Sequence, residues 1–93
     1  MYSRPTVTNV TMTAANTEYS HIVQANTKKL LIKERSGGSS VKLCYTSGSS
    51  GTTYITIPAG SSKHLEAAWL RGIVLYFQCP DAGNVLEIEE WVA

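Results

Sequence analysis

The side chains equipped for chemistry are few in this chain of 93 residues. The imidazoles are His21 and His64, and the thiols are Cys44 and Cys79. A metal site needs several His, Cys or carboxylate ligands at close spacing, and none of these four residues stands in such a cluster. His21 lies in a strand-like run with Tyr19 and Val23, and His64 lies beside a turn, so both read as ordinary surface or edge histidines. Cys44 and His64 are the residue types of a thiol nucleophile and its base, but no local motif joins them. A disulfide between Cys44 and Cys79 is open in principle. Reduced, partly buried thiols are the plainer reading for a chain assembled in a cytoplasm.

Carboxylates gather in the closing stretch Glu87-Ile88-Glu89-Glu90-Trp91. Glycoside hydrolysis needs two carboxyl groups facing each other across a substrate. Glu87 and Glu89 instead share one face of one strand, about 7 Å apart along it. Such a pair keeps an outer face soluble or meets Lys and Arg on a neighbour. The loops Ser36-Gly37-Gly38-Ser39-Ser40 and Ser47 to Gly51 have the small residues of a phosphate cradle. That cradle requires a Lys after its last Gly and a helix behind it, whereas Gly51 leads through Thr52 and Thr53 into a strand. Flexible connections explain these loops. The expectation is no catalytic residue, no cofactor and no metal.

The elements that must position these groups follow from a period of two. The C-terminal stretch holds two apolar runs, GIVLYFQC and NVLEIEEWV, around a turn of Pro80, Asp81, Ala82 and Gly83. They read as a C-terminal hairpin. In the second run Leu86, Ile88, Glu90 and Val92 share one face. Upstream strands are expected at Thr6 to Ala14, Glu18 to Gln24, Lys28 to Arg35, Val41 to Thr46 and Thr52 to Pro58. In the fourth of these, Val41, Leu43 and Tyr45 point inward and Cys44 outward. Ser61 to Leu65 reads as a short edge strand, and Glu66 to Trp69 as a single helical turn. The expected core is Val10, Ile22, Leu30, Ile32, Val41, Leu43, Ile55, Ile57, Ile73, Leu75, Phe77, Leu86 and Ile88. Seven or eight short strands at this spacing predict an all-β fold, an antiparallel β-sandwich, jelly-roll-like, or a small barrel.

The chain is long enough for one domain, taken as residues 6–93 behind an N-terminal arm of residues 1–5. A domain this small is marginal alone, which suits assembly with its own copies. Formal net charge is +1, too weak a field to draw nucleic acid or an anionic membrane. No apolar run approaches the roughly 20 residues that span a bilayer, and the first ten residues lack the apolar core of a signal peptide.

The fragments TKKLLIKER, YITIPAG and the closing VLEIEEW after an AG turn resemble a family of small all-β virion structural proteins of tailed bacteriophages. The likeness covers about residues 6–92, with KHLEAAWLRG as the expected point of divergence. It implies a non-enzymatic role in the particle, made in the host cytoplasm and ending in the virion. The leading expectation is a decoration or cement protein bound to the major capsid protein, or another virion protein, as a homo-oligomer (dimer or trimer). A head-neck, tail or fibre component, or a carbohydrate- or receptor-binding module, is the alternative. The partner-binding residues expected on this reading are Tyr2 and Arg4 of the arm, Trp69, and Glu89, Glu90 and Trp91 of the tail. For the sugar-binding alternative the platform would be Trp69 with Tyr54.

Overall fold

Thr, Val and Ile alternate with polar residues through most of the chain, and β-branched side chains fit a pleated, half-buried surface. The computed structural model describes residues 5–66 and 72–92. Among them eight strands form: β1 (Pro5–Met12), β2 (Tyr19–Ile22), β3 (Thr27–Glu34), β4 (Val41–Cys44), β5 (Ile55–Ile57), β6 (Ser62–Glu66), β7 (Val74–Gln78) and β8 (Asn84–Val92). They make two four-stranded sheets, in the orders β1-β8-β3-β6 and β2-β7-β4-β5, with every pairing antiparallel.

The order is nested. The first strand pairs with the last, the second with the next to last, and so inward to β4 with β5. Contacts of β3 with β8 and of β4 with β7 complete the sheets. This is the jelly-roll order of a double-sheet sandwich. The two sheets enclose Met12, Val23, Leu30, Ile32, Leu43, Leu75, Phe77, Leu86 and Ile88, all buried. Such side chains each contribute about 1.5–3 kcal/mol when fully enclosed.

Several expectations are corrected. The C-terminal hairpin does not form, because β7 and β8 belong to different sheets. The 79–83 connection turns a corner, and its backbone bonds to the end of β1 and to the β1–β2 connection instead: Gly83 N–H donates to Met12 O at 2.8 Å, and Asn16 N–H to Cys79 O at 2.8 Å. Pro5, assigned to the arm, begins β1. Ile22 is 68% exposed. Its neighbours His21 and Tyr19 lie opposite the buried Leu75 and Phe77, so the inward face of β2 is theirs. Ile55 is 45% exposed, since it starts a three-residue strand at the sheet edge. Tyr45, expected inward, lies beyond the end of β4 and is exposed.

Cys44 stands opposite Tyr76 on the outer face of its sheet, yet it is buried. The β4–β5 connection explains this. It doubles back over that face and reaches Gln78 of β7 and Glu18 ahead of β2. Cys79 is also a buried free thiol. The β4–β7 register puts it about three residues along from Cys44, roughly 10 Å, well beyond disulfide reach. The expected edge strand after Ser61 is present as β6, and Glu66 ends it. The rest of the helical turn, with Trp69, lies outside the described residues.

Candidate functional site

Three buried or half-buried carboxylates account for much of the polar structure, and each fastens a connection. Glu90 comes from β8, opposite Leu30 of β3, with its side chain fully inside the sandwich. His21 comes from β2 of the other sheet, and its Nε2 lies 2.7 Å from Glu90 Oε1. A carboxylate only accepts, so the imidazole N–H donates. The second oxygen accepts from Gln24 N–H at 2.8 Å and from the Thr27 hydroxyl at 3.4 Å. Glu90 thereby ties the two sheets together and closes the β2–β3 connection, where Asn26 takes a left-handed φ of 69°. His21 is thus a half-buried structural histidine rather than the surface one expected.

Glu34 closes the 36–39 loop in the same way. Its carboxylate accepts from Ser36 N–H (2.9 Å), the Ser36 hydroxyl (2.6 Å) and Gly37 N–H (3.0 Å). Burial pushes this carboxyl up, but the donors of Ser36, Ser39 and Gly37 outweigh it and hold the group below its ordinary 4.5. Ser39 in turn donates to Asp81 and accepts from Asn84, linking that loop to the corner after β7.

Glu18 accepts from Gly48 N–H at 2.8 Å and Ser50 N–H at 3.1 Å. Hydrogen bonds from the Ser50 side chain and the Gly48 backbone depress its pKa below 4.5. Two amides that suggested a phosphate cradle are therefore filled by a carboxylate of the same chain. Gln78 adds a bond to the Ser50 hydroxyl at 2.9 Å. The Ser47 to Gly51 loop is fastened, not the flexible connection expected. Glu18→Gln is expected to lower stability by about 1 kcal/mol, the value of a charge-assisted bond discounted for partial exposure. Amide exchange at Gly48 and Ser50 should accelerate about fivefold; unchanged exchange there would assign the fastening to Gln78 alone.

The fastened loop walls a cleft of about 410 Å³ with Leu43, Cys44, Tyr45, Thr46, Ser49, Thr53, Tyr54 and Ile55. Tyr45 and Tyr54 are 43% and 40% exposed and bracket the loop. Burial, then the neighbouring Cys44, push the Tyr45 phenol above its ordinary 10.0, so it stays a neutral hydroxyl. Lys42 Nζ sits 4.9 Å from the centre of the Tyr54 ring, a cation–π contact. Among the described residues no charged side chain lines the cleft. Its size suits a small ligand, and its aromatic faces and hydroxyls suit an uncharged, polyhydroxylated one. Tyr54 was expected in a platform with Trp69; here it faces the cleft with Tyr45.

The outer face of the first sheet is the other surface of note. Leu31 lies opposite Glu89 on one side and His64 on the other, and Val7 lies opposite Glu89 from β1. Shallow grooves of about 230 Å³ and 200 Å³ lie around Leu31 and Glu89, the larger also lined by Lys29, His64 and Trp91. Trp91 Nε1 donates to Glu89 Oε1 at 2.8 Å. Glu87 meets Arg35 at 2.9 Å and Lys29 meets Glu66 at 3.5 Å, so this face carries paired charges around an apolar centre. Of the residues expected to bind a partner, Glu89 and Trp91 lie together on this face. Glu90 lies beneath it with no exposed surface. Tyr2, Arg4 and Trp69 lie outside the described residues. Among the described residues no three His, Cys, Asp or Glu side chains converge as metal ligands.

The chain matches no family model, no curated protein and no solved structure.

Proposed function

We propose that this chain is a non-enzymatic structural protein of a tailed-phage particle, a decoration protein that docks on the outer capsid shell and stabilises it. The observation that carries the reading is where the acidic groups go. Glu18, Glu34 and Glu90 with His21 hold connections in place, which leaves a braced sandwich offering faces to a partner. Capsid proteins are among those that use the jelly-roll order. The docking face is the outer surface of the first sheet around Leu31, Glu89 and Trp91. Buried aromatic anchors dominate many interfaces, so Trp91→Ala is expected to weaken binding to purified capsid shells by about tenfold. Co-sedimentation with shells checks it. Failure to bind, or saturation at a handful of copies per particle, would sink the proposal.

The tyrosine cleft favours a second reading, a carbohydrate-binding module. On that reading a glycan screen returns micromolar binders that Tyr54→Ala abolishes. A blank screen together with shell binding decides for the first reading.

A further inference from the structure

We propose that the free edge of β1 pairs with the β1 edge of a second copy of this chain, across a two-fold axis at Asn9. The β1-β8-β3-β6 sheets of the two copies would become one sheet of eight strands. The inference rests on strand geometry and goes beyond the role proposed above.

Among the described residues β1 is an edge strand, paired with β8 in unbroken register from Pro5 opposite Trp91 to Met12 opposite Asn84. In an antiparallel strand, alternate residues turn both backbone groups toward the same neighbour. Arg35 N–H donates to Val85 O at 2.9 Å, so Val85 of β8 faces β3. Its alternates Asn84, Leu86, Ile88 and Glu90 therefore face β1. Their partners Met12, Val10, Thr8 and Thr6 face β8. Met12 O accepting from Gly83 N–H agrees with this direction. Val7, Asn9 and Thr11 are left with their N–H and C=O groups pointing away from the sheet. Pro5 falls in the same set, where its missing N–H takes no bond from the β8 ladder.

Natural edges are blunted by charge, by brevity or by bulges. β2 and β5 have four and three residues, and β6 reads Ser-Lys-His-Leu-Glu. β1 alone among these edges is both long, at eight residues, and free of charge. That suits a copy of itself above other partners. A two-fold axis sets a strand against its own sequence, so any charge near the axis would meet its like. With the axis at Asn9, Asn9 lies opposite the partner's Asn9 and Val7 opposite the partner's Thr11. These matched residues would exchange about six main-chain hydrogen bonds. The paired asparagine amides can bond across the axis. Val7, 62% exposed, would pack on the threonine methyl group.

The test is the mass of the full chain by light scattering, from micromolar to millimolar concentration, read with amide exchange residue by residue. The expected result is a dimer in which Val7, Asn9 and Thr11 exchange slowly. Asn9→Lys should raise its dissociation constant about fivefold and release those three amides while Thr8 and Val10 stay protected. Val7→Lys serves if the first variant misfolds. A monomer at every concentration, a trimer, or a dimer whose Val7, Asn9 and Thr11 amides exchange freely would overturn the proposal. So would slow exchange of those amides in a monomer, which would mean the chain covers its own edge.

Discussion

Glu90→Ala is expected to destabilise the fold by about 3–5 kcal/mol, because buried or half-buried donors of His21, Gln24 and Thr27 lose their acceptor at about 1–3 kcal/mol each. Domains of this size are stable by roughly 5–15 kcal/mol, so the variant would sit near the edge of folding at 37 °C. The loss has three parts. His21 loses its acceptor between the sheets, Gln24 N–H is orphaned, and Thr27 loses a partner. Glu90→Gln keeps an oxygen for Gln24 and should cost about half as much or less. Glu89→Ala, one residue away but on the outer face, should stay within about 1 kcal/mol. Urea unfolding at pH 7 measures all three. A Glu90→Ala midpoint close to that of Glu89→Ala would mean that the interior carboxylate contributes little. A double-mutant cycle with His21→Ala would isolate the term that crosses between the sheets.

Acid should loosen the fold through Glu34 and Glu18. Both carboxyls are held below their ordinary 4.5 in the folded chain. As pH falls, the unfolded chain therefore binds protons first. The stabilisation is complete above pH 4.5 and is lost as pH drops through the lower, folded-state values. Glu34 is buried and accepts from the Ser36 hydroxyl and from the Ser36 and Gly37 amides. Glu34→Ala is expected to cost about 2–3 kcal/mol at pH 7 by orphaning those donors. It should also flatten the fall in melting temperature between pH 6 and pH 3. An undiminished fall in Glu34→Ala,Glu18→Gln would assign acid sensitivity to other groups.

The parts of this structure that were legible in the sequence are those governed by local alternation. The runs around Leu30 and Ile32, Leu43, Leu75 and Phe77, and Leu86 and Ile88 mark both the strands and their inward faces. The same alternation placed Glu90 with Leu86 and Ile88, and His21 with Tyr19 and Val23. Their burial was thus written in parity, although charge and position suggested a surface tail and an edge histidine. What lay out of reach is non-local. Pro80 and Gly83 serve a hairpin and a corner between sheets equally well, so the turn could not say that β7 and β8 part company. Nothing local to Ser47 to Gly51 reveals that Glu18 and Gln78 will fasten it. Without that, neither the burial of Cys44 nor the cleft between Tyr45 and Tyr54 follows.

The nested strand order also sets how the chain must find its structure. Among the described strands only β4 and β5 pair with a near neighbour in sequence. Every other pairing waits on a longer closure, whose entropy cost grows slowly but arrives before any contact repays it. Zipping outward from β4–β5 brings in β3 with β6 and β2 with β7, and β1 with β8 last. On the ribosome β8 emerges after the other seven strands, so β1 and β3 have no β8 partner until all of those have been made. The uncharged β1 is then a sticky strand in a nascent chain, and the speed with which β8 arrives governs whether it meets its own sheet or a stranger's.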